Sequence, residues 1–140
     1  QAVEEFKRRF PSRTWNQHIE PDLHLVGDPV LIQILVNNLI ENAVKYSPAD
    51  TAVTVELKAD QVKGILAVKD EGMGIPAEER KKVFQKFYRV GNEDTRSTSG
   101  TGLGLYLCNK IARDHSMSIN IAANDPKGTI FTVLFNLNPA

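Results

Sequence analysis

The sequence predicts a single α/β domain, and three features of the chain lead to this prediction. The chain has 140 residues, of which 41% are hydrophobic and 24% are charged, and these values are typical of one globular domain. Several stretches alternate apolar and polar residues with the period of half-buried β-strands. Other stretches place apolar residues three and four positions apart, as the buried face of an α-helix requires.

The composition excludes several classes of protein. The formal net charge is zero, so no basic surface predicts nucleic acid or an anionic membrane as a partner. Cys108 is the only cysteine, and it has no partner for an internal disulfide. No apolar run approaches the roughly 20 residues of a membrane-spanning helix. The chain begins with Gln1 rather than Met, and we expect it to be a piece of a longer protein.

The first residues are expected to connect the domain to the rest of that longer protein. Residues 1–12 are predicted to be a linker, or the end of a helix from an upstream region, that stops at Pro11 and Ser12. The domain itself is predicted to span residues 13–140, with a strand over 14–19 and a short strand over 23–26.

A long helix is predicted to follow. Asp28 and Pro29 provide an N-cap carboxylate and a proline at the first helical position, and the helix continues to Tyr46. Apolar residues at every fourth position form its buried face: Leu31, Leu35, Leu39 and Ala43.

The same helix carries a row of polar side chains beside its apolar face. Asn38, Asn42 and Lys45 point in one direction, and Glu41 is adjacent to them. Asparagine is unfavourable in the interior of a helix, so two of them require an explanation. One interpretation is a solvated helix face. The other is a site for a metal-bound triphosphate, because amide oxygens and a lysine suit Mg²⁺ and phosphate.

A second candidate site follows a predicted hairpin of strands over 51–59 and 62–70, in which Ile65, Ala67 and also Val68 are expected to face the core. The loop Asp70-Glu71-Gly72-Met73-Gly74-Ile75-Pro76 begins where the second strand ends. Its glycines permit close approach to a flat ligand, and its aspartate can accept a hydrogen bond from an exocyclic amine such as that of adenine. A plain Asp-x-Gly turn explains the same residues without a ligand.

The segment after this loop is predicted to form a short charged helix over 77–84. Phe84, Phe87 and Tyr88 then form an aromatic cluster that docks this helix or borders a pocket. Residues 89–99 are polar and lack periodicity, which is more typical of a mobile lid than of a buried connection.

A glycine-rich stretch, residues 100–105, precedes a helix that runs to His115, and Cys108 lies on the inward side of this helix, where a core position is expected. Glycines at alternate positions let backbone N–H groups converge at the positive end of the helix, and this arrangement suits phosphate. On its own, the same pattern also describes an ordinary loop-to-helix turn. Strands over 117–123 and 129–137 complete the chain as a second hairpin.

Taken together, these stretches resemble the catalytic and ATP-binding domain of sensor histidine kinases, in the GHKL group of ATPases. Residues 38–46 are similar to the asparagine box of that family, and residues 70–75 are similar to its first glycine box. The phenylalanine box, the second glycine box and a closing Gly-Thr-x-Phe element follow in the family's order, at residues 84–89, 100–105 and 128–131.

The resemblance implies a fold and an activity. The fold is an α/β two-layer sandwich, in which a mixed sheet of roughly five strands is covered on one face by three helices. The activity is that of a protein-histidine kinase, which binds ATP and Mg²⁺ between the helices and the lid. It transfers the γ-phosphate to a histidine on a separate dimerisation domain, of the same protein or of its dimer mate.

The resemblance also implies a cellular context. A response regulator acts downstream in a two-component system. The isolated domain is expected to be monomeric and cytoplasmic, whereas the parent protein is expected to be a homodimer that is either free or anchored in the inner membrane.

The resemblance assigns roles to individual residues. Asn42, with Asn38, would hold Mg²⁺, and Lys45 would contact the phosphates. Asp70 would receive the adenine amine, and Thr129 would support this end of the nucleotide through water.

Further roles follow from the same resemblance. Tyr46 would contact the nucleoside, and Gly74 would give the ring room. Arg89 would contact the γ-phosphate and Glu41 would polarise the attacking histidine, which makes them catalytic candidates together with Asn42 and Lys45. The amides from Gly102 to Leu105 would wrap the phosphates. The full set of further nucleotide contacts is Gly72, Met73, Ile75, Phe87, Tyr88, Gly100, Thr101, Gly102, Leu103, Gly104 and Leu105.

Two features depart from the family's pattern. The sequence His115-Ser116-Met117 stands where the family has His-Gly-Gly or His-Gly and a small residue, so a residue other than glycine must make the left-handed turn. We expect this change to affect local stability rather than ATP binding. In addition, His18, His24 and His115 lack the helical His-Glu or His-Asp context of a phosphoacceptor. Each is expected to be a structural or surface histidine, and the acceptor is expected upstream or on a partner chain.

Other functions remain open at this point. Clamp-type GHKL ATPases place a glutamate four residues before the metal asparagine and an aspartate three after it, whereas this chain has Asn38 and Lys45 there. An anti-sigma-factor serine kinase is disfavoured by the full phenylalanine box. A degenerate module would hold nucleotide, or dock a partner, without transferring phosphate.

Overall fold

The computed structural model describes residues 2–11, 13–20, 27–60, 62–85, 104–125 and 127–137. The helices in this part of the chain are α1 (Ala2–Arg9), α2 (Pro29–Lys45) and α3 (Gly104–Asp114). The strands are β1 (Thr14–Ile19), β2 (Ala52–Asp60), β3 (Lys63–Lys69), β4 (Ser118–Ala123) and β5 (Thr129–Asn136). The short strand predicted over 23–26 lies outside the described residues. Within those residues, every helix is too short or too polar to cross a membrane.

The strands form one mixed sheet in the order β1-β2-β3-β5-β4. β1 and β2 are parallel, whereas the pairs β2–β3, β3–β5 and β4–β5 are antiparallel. Both predicted hairpins are therefore confirmed. The predicted fold class is also confirmed, because the helices cover one face of this mixed sheet.

The core lies between the helices and that face of the sheet. A row of paired residues crosses the sheet from β2 through β3 and β5 to β4. It consists of Val55, Val68, Phe131 and Ile121. The first three side chains belong to one hydrophobic cluster and Ile121 packs against it. This row crosses four strands, so it joins most of the sheet to the helical layer.

Of the residues of β3 predicted to face the core, Val68 does so and Ile65 does not, whereas Ala67 is buried outside the core cluster. Leu66 and Val68 belong to the core cluster, so the residues that alternate with them point to the opposite face of the sheet. β3 is the central strand, and it is apolar without interruption from Ile65 to Val68. A continuous apolar run does not reveal which of its two faces is covered.

α2 begins as predicted, at an Asp28 N-cap. Asp28 Oδ1 accepts hydrogen bonds from the N–H groups of Val30 (2.9 Å) and Leu31 (3.3 Å). Three of the four predicted residues are buried in α2, namely Leu35, Leu39 and Ala43, and Ile40 is buried as well. The helix therefore lies on the sheet with the predicted face inward.

Residues 77–84 do not form the predicted short helix. They form two short 3₁₀ turns, Ala77–Glu79 and Lys82–Phe84. Of the residues in these turns, only Val83 is buried. So little apolar burial does not offset the free-energy cost of nucleating an α-helix, and the segment stays in single turns.

α1 packs against the domain. Val3 and Phe6 are buried members of the core cluster. The ring of Phe6 stacks on Phe10 and lies beside Trp15, with ring centroids 6.4 Å apart in both pairs. The Trp15 indole Nε1 also donates to the Phe10 carbonyl oxygen at 3.3 Å. The residues before β1 therefore contribute apolar surface to the same core.

Cys108 has the core position that the sequence predicts. It is fully buried on α3, and its Sγ donates to the carbonyl oxygen of Leu35 on α2 at 3.6 Å. Burial raises the pKa of the Cys108 thiol to about 12, so the thiol stays protonated and is a packing group rather than a nucleophile.

α3 ends in a Schellman motif whose left-handed residue is Ser116, with φ of 58°. The N–H of Met117 donates to the Ala112 carbonyl oxygen at 2.7 Å, and the N–H of Ser116 donates to the Arg113 carbonyl oxygen at 3.1 Å. These are the two hydrogen bonds of the motif. The turn that glycine makes in the resembling family is thus made here by a serine.

His115 joins the end of α3 to the start of α2. Its Nδ1 lies 2.8 Å from the Ile111 carbonyl oxygen, and its Nε2 accepts a hydrogen bond from the Asp28 N–H at 3.1 Å. Both ring nitrogens therefore have structural partners, in agreement with the structural role predicted for this histidine.

Ser116→Gly is expected to stabilise the domain by about 0.5–1 kcal/mol. A left-handed non-glycine residue is strained by roughly 1–2 kcal/mol, and glycine relieves this strain. Part of the stabilisation is offset because glycine also raises the conformational entropy of the unfolded chain. Thermal unfolding should show a Tm a few degrees higher. Ser118→Gly, in an extended strand, should lower the Tm instead. An unchanged or lower Tm for Ser116→Gly would contradict the strain at this turn.

Candidate active site

The predicted site residues that the structure describes come from three parts of the fold. Asn38, Asn42 and Lys45, which we name the polar row, are half-buried along α2. Gly104 begins α3, which packs against α2. Asp70 begins the loop that follows β3.

The start of α3 lies directly beside the polar row. A β-carbon on Gly104 would lie 3.2 Å from Asn38 Oδ1, so the glycine keeps the space beside this oxygen open. Asn38 Nδ2 donates to the Ile34 carbonyl oxygen at 2.9 Å. The amide nitrogen is thereby occupied within α2, and the amide oxygen faces Gly104 at the start of α3.

Lys45 and Glu41 form an ion pair on the same helix, with Nζ 3.9 Å from Oε1. Their side chains are 31% and 43% exposed, so the pair contributes little to stability. Both groups remain accessible, and both lie within one turn of Asn42. A ligand at the polar row would meet a cation, a carboxylate and amide groups.

Asp70 is a buried carboxylate, only 5% exposed, that backbone donors hold in place. Its Oδ1 accepts hydrogen bonds from the N–H groups of Gly72 (2.9 Å) and Thr129 (3.3 Å). Burial raises the pKa of the Asp70 carboxyl above its ordinary value, and these two donors and the Arg13 cation oppose that shift. Among the described residues no hydrogen bond uses Oδ2, which is left to accept one from a ligand.

The Asp70 loop packs closely against the backbone on two sides, and a glycine is required at each of these two contacts. A β-carbon on Gly72 would collide with the Tyr46 carbonyl oxygen at the end of α2. A β-carbon on Gly128 would collide with the Asp70 carbonyl oxygen, and Gly128 has φ of +112°. The loop is therefore wedged between the end of α2 and the turn that joins β4 to β5.

The β4–β5 turn binds the Asp70 backbone directly. The N–H of Asp70 donates to the Thr129 carbonyl oxygen at 2.9 Å, and Asn124 Nδ2 donates to the Asp70 carbonyl oxygen at 2.8 Å. Thr129 is 4% exposed and so belongs to the support of this loop. Its predicted contact with the nucleotide through water remains a prediction.

Sequence reasoning did not identify three polar residues that support the site. Asn124 lies between the two strands of the second predicted hairpin, but its partner lies 54 residues away and no local pattern identifies it. Arg13 (8% exposed) and Ser47 (9% exposed) are buried at the end of α2. A buried arginine is uncommon, yet an isolated arginine in a sequence gives no signal that it will be buried.

Several predicted site residues lie outside the described residues, as do the predicted lid over 89–99 and His24. These site residues are Phe87, Tyr88, Arg89, Gly100, Thr101, Gly102 and Leu103. Of the other loop residues, Met73 is exposed, and Ile75 packs against the core cluster together with Leu105 of α3.

The donor groups at the polar row suit Mg²⁺. In the part of the chain that is described, no group of three or more His, Cys, Asp and Glu side chains could hold a metal ion by itself. Mg²⁺ commonly keeps water ligands and binds phosphate oxygens together with only one or two protein oxygens. The Asn38 amide oxygen beside Gly104 fits that requirement, because it is an oxygen donor next to a predicted phosphate site.

The comparisons with known sequences identify similar proteins. A family described as histidine kinase-, DNA gyrase B-, and HSP90-like ATPase matches residues 27–139. The chain is similar to the sensor histidine kinase WalK of Bacillus subtilis, with 38% identity over 130 residues that cover 91% of this chain and 20% of WalK. It is also similar to the sensor protein CiaH of Streptococcus pneumoniae, with 39% identity over 109 residues that cover 78% of this chain and 24% of CiaH. The chain thus spans about a fifth to a quarter of these relatives.

A solved structure supports the same assignment of the fold. The mycobacterial sensor histidine kinase MprB matches with a TM-score of 0.87 and 28% identity, over 99% of this chain and 91% of that chain. The two-layer arrangement described above is therefore shared almost in full with that structure.

Proposed function

Because this chain belongs to the family of histidine kinase-, DNA gyrase B- and HSP90-like ATPases, we propose that it is the catalytic domain of a sensor histidine kinase. It binds ATP with Mg²⁺ and transfers the γ-phosphate to a histidine on another domain. The main support is that the polar row, the start of α3 and the Asp70 loop meet around the C-terminal half of α2.

In this proposal Asp70 recognises adenine. Its Oδ2 accepts a hydrogen bond from the exocyclic amine, while Oδ1 stays bonded to the N–H groups of Gly72 and Thr129. A carboxylate that is fixed by two backbone donors cannot rotate to suit another base. Guanine, which carries a carbonyl oxygen in place of that amine, is therefore rejected. Tyr46 and Gly74 border the nucleoside, and Thr129 supports it through water.

The polar row holds the triphosphate and its metal. The amide oxygens of Asn38 and Asn42 are the protein ligands for Mg²⁺, which neutralises phosphate charge when it is bound. Lys45 contacts the phosphates and so leaves its partner Glu41, 3.9 Å away in the structure. The released Glu41 carboxylate can then polarise the attacking histidine. The amides from Gly102 to Leu105 and the Arg89 guanidinium complete this end of the site.

The acceptor histidine belongs to another domain or chain in this proposal. His18 is an exposed strand residue, and the two ring nitrogens of His115 are engaged by α2 and α3. The parent protein is then a homodimer that contributes the acceptor, in the cytoplasm or at the inner membrane, and a response regulator receives the phosphate. Asn38 occupies the position where clamp-type ATPases have a water-activating glutamate, which favours transfer over hydrolysis.

Titration of ATP by calorimetry tests the binding part of this proposal. The wild-type chain is expected to bind ATP more tightly with Mg²⁺ than without it. Asn42→Ala should lower the affinity for Mg·ATP roughly tenfold or more, because the metal loses one of its few protein ligands.

Asn37→Ala is the matched control for this titration. Asn37 lies on the same helix and is of the same residue type, but its side chain accepts a hydrogen bond from Gln33 outside the polar row. It should bind Mg·ATP as the wild type does. An equal loss of affinity in both variants, or Mg²⁺-independent binding by the wild type, would refute the assignment of the metal to the polar row.

A further inference from the structure

Arg13 is a buried cation in the segment that joins α1 to β1. Its side chain reaches the end of α2 and the start of β2. Nη1 donates to Ser47 Oγ at 2.9 Å and to the Thr51 carbonyl oxygen at 3.4 Å. Nη2 donates to the carbonyl oxygens of Val44 and Ser47, at 3.3 Å each. Both arms of the guanidinium fork are therefore engaged.

These contacts complete the C-terminal end of α2. The last carbonyl groups of a helix lack partners within the helix, and they form the negative end of its dipole. Here the Tyr46 N–H binds the Asn42 carbonyl oxygen at 3.1 Å, and Ser47 Oγ binds the Ala43 carbonyl oxygen at 2.6 Å. Arg13 binds the next carbonyl oxygen, that of Val44. The positive end of the Arg13 side chain is therefore buried against the negative end of the α2 dipole.

The helix end that Arg13 holds is also the end that carries the candidate site. Asn42 and Lys45 lie in the last turn of α2, and the Tyr46 carbonyl oxygen rests against Gly72 of the Asp70 loop. Arg13 and Asp70 also interact electrostatically. The Asp70 carboxylate opposes the lowering of the Arg13 pKa by burial, and the Arg13 cation opposes the raising of the Asp70 pKa.

We propose that Arg13 is a positioning residue of the nucleotide site, which fixes the end of α2 relative to the Asp70 loop so that metal, phosphate and base are held together. The inference rests on the proposed function. Arg13 is 8% exposed, and both arms of its guanidinium already bind groups of residues 44–51, so it holds the end of α2 rather than the nucleotide itself. It acts through the backbone of α2, whose small displacements would move Asn42 and Lys45 away from Asp70.

Arg13→Gln, Arg13→Lys and Ser47→Ala test this role through ATP affinity measured by calorimetry well below each Tm. Arg13→Gln should weaken ATP binding roughly tenfold or more, because supporting residues that set ligand geometry typically have effects of this size. Arg13→Lys keeps the charge without the planar fork and should restore part of the affinity. Ser47→Ala should weaken binding in the same direction, and should add little to the effect of Arg13→Gln.

Phe135→Leu is the matched control for loss of stability. Phe135 is buried and pairs with Gly64, at the opposite end of β3 from Asp70. It should lower the Tm and leave the ATP affinity unchanged. If Arg13→Gln lowers the Tm but keeps the wild-type affinity, as this control does, Arg13 has only a structural role and the inference is overturned.

The remaining outcomes are also decisive. If Arg13→Gln does not fold, the ATP affinities of Arg13→Lys and Ser47→Ala test the inference instead. A wild-type affinity in both of these variants overturns it. A wild-type chain that binds no ATP refutes the proposed function and this inference with it. A wild-type chain that binds ATP, with variants that bind equally well, refutes the role of Arg13 alone.

Discussion

Asp70→Asn is expected to remove measurable ATP binding, with a loss of affinity of at least about 100-fold, while the domain stays folded. The amide oxygen of the asparagine can accept the two hydrogen bonds that Gly72 and Thr129 give to Asp70 Oδ1. The amide nitrogen then occupies the position of Oδ2, where a donor faces the amine of adenine. In the complex the variant therefore loses a charge-assisted hydrogen bond and sets one donor against another, and both effects weaken binding.

The same substitution is expected to raise the Tm at pH 7. Burial raises the pKa of Asp70 above its ordinary value of 3.8, so between these two pKa values the folded chain holds more protons than the unfolded chain. The free energy of unfolding therefore falls as the pH rises through that window, and the loss persists at neutral pH. Asparagine has no such titration. The difference in Tm between variant and wild type should shrink as the pH falls below 3.8.

Calorimetric titration with ATP and thermal unfolding from pH 3 to pH 8 measure both effects. Asp125→Asn is the matched control, because Asp125 is an exposed aspartate on the neighbouring β4–β5 turn. It should leave the ATP affinity at the wild-type value. ATP binding by Asp70→Asn at close to the wild-type affinity would contradict the adenine assignment. A lower Tm at pH 7 would contradict the unfavourable burial of the charge.

Gly128→Ala is expected to destabilise the domain by more than about 3 kcal/mol and to lower the Tm by more than about 10 °C. The backbone of Gly128 has φ of +112°, which side-chain-bearing residues rarely adopt. The added β-carbon would also collide with the Asp70 carbonyl oxygen, which is backbone and cannot rotate away. The β4–β5 turn must then move from the Asp70 loop, and ATP affinity is lost with the loop geometry.

Thermal unfolding and ATP titration of Gly128→Ala are compared with Lys127→Ala. Lys127 is the exposed neighbour of Gly128, so its truncation should be within about 0.5 kcal/mol of the wild type. A Gly128→Ala variant with a Tm within a few degrees of the wild type would show that the turn and the Asp70 loop are not packed as described.

The elements that the sequence predicts correctly are those with a local signal. α2 has an N-cap aspartate followed by proline, and its apolar residues repeat every four positions, so both its start and its buried face follow from nearby residues. The two hairpins follow from alternation of apolar and polar residues on each side of a short connection. Cys108 lies at a buried position of the helical period, and it is fully buried.

The features that the sequence does not reveal depend on contacts between distant residues. β3 is apolar on both faces because it is central, so its orientation follows from its neighbours β2 and β5 rather than from its own pattern. Arg13 meets its partners 31 to 38 residues away. The residues of the candidate site could be predicted because each residue type suits a part of the ligand. The residues that hold them in place could not be predicted, because arginine and asparagine are common on any protein surface.

Phosphate transfer is the most direct test of the central claim that this chain is a histidine kinase catalytic domain. The chain would be mixed with γ-labelled ATP, Mg²⁺ and the domain of its parent protein that carries the candidate acceptor histidine. The claim predicts a labelled phosphohistidine, stable to alkali and labile to acid, that is absent with Asn42→Ala and present with Asn37→Ala. If the chain binds Mg·ATP but no label reaches any histidine, the claim is contradicted and the chain is a nucleotide-binding module without transfer activity.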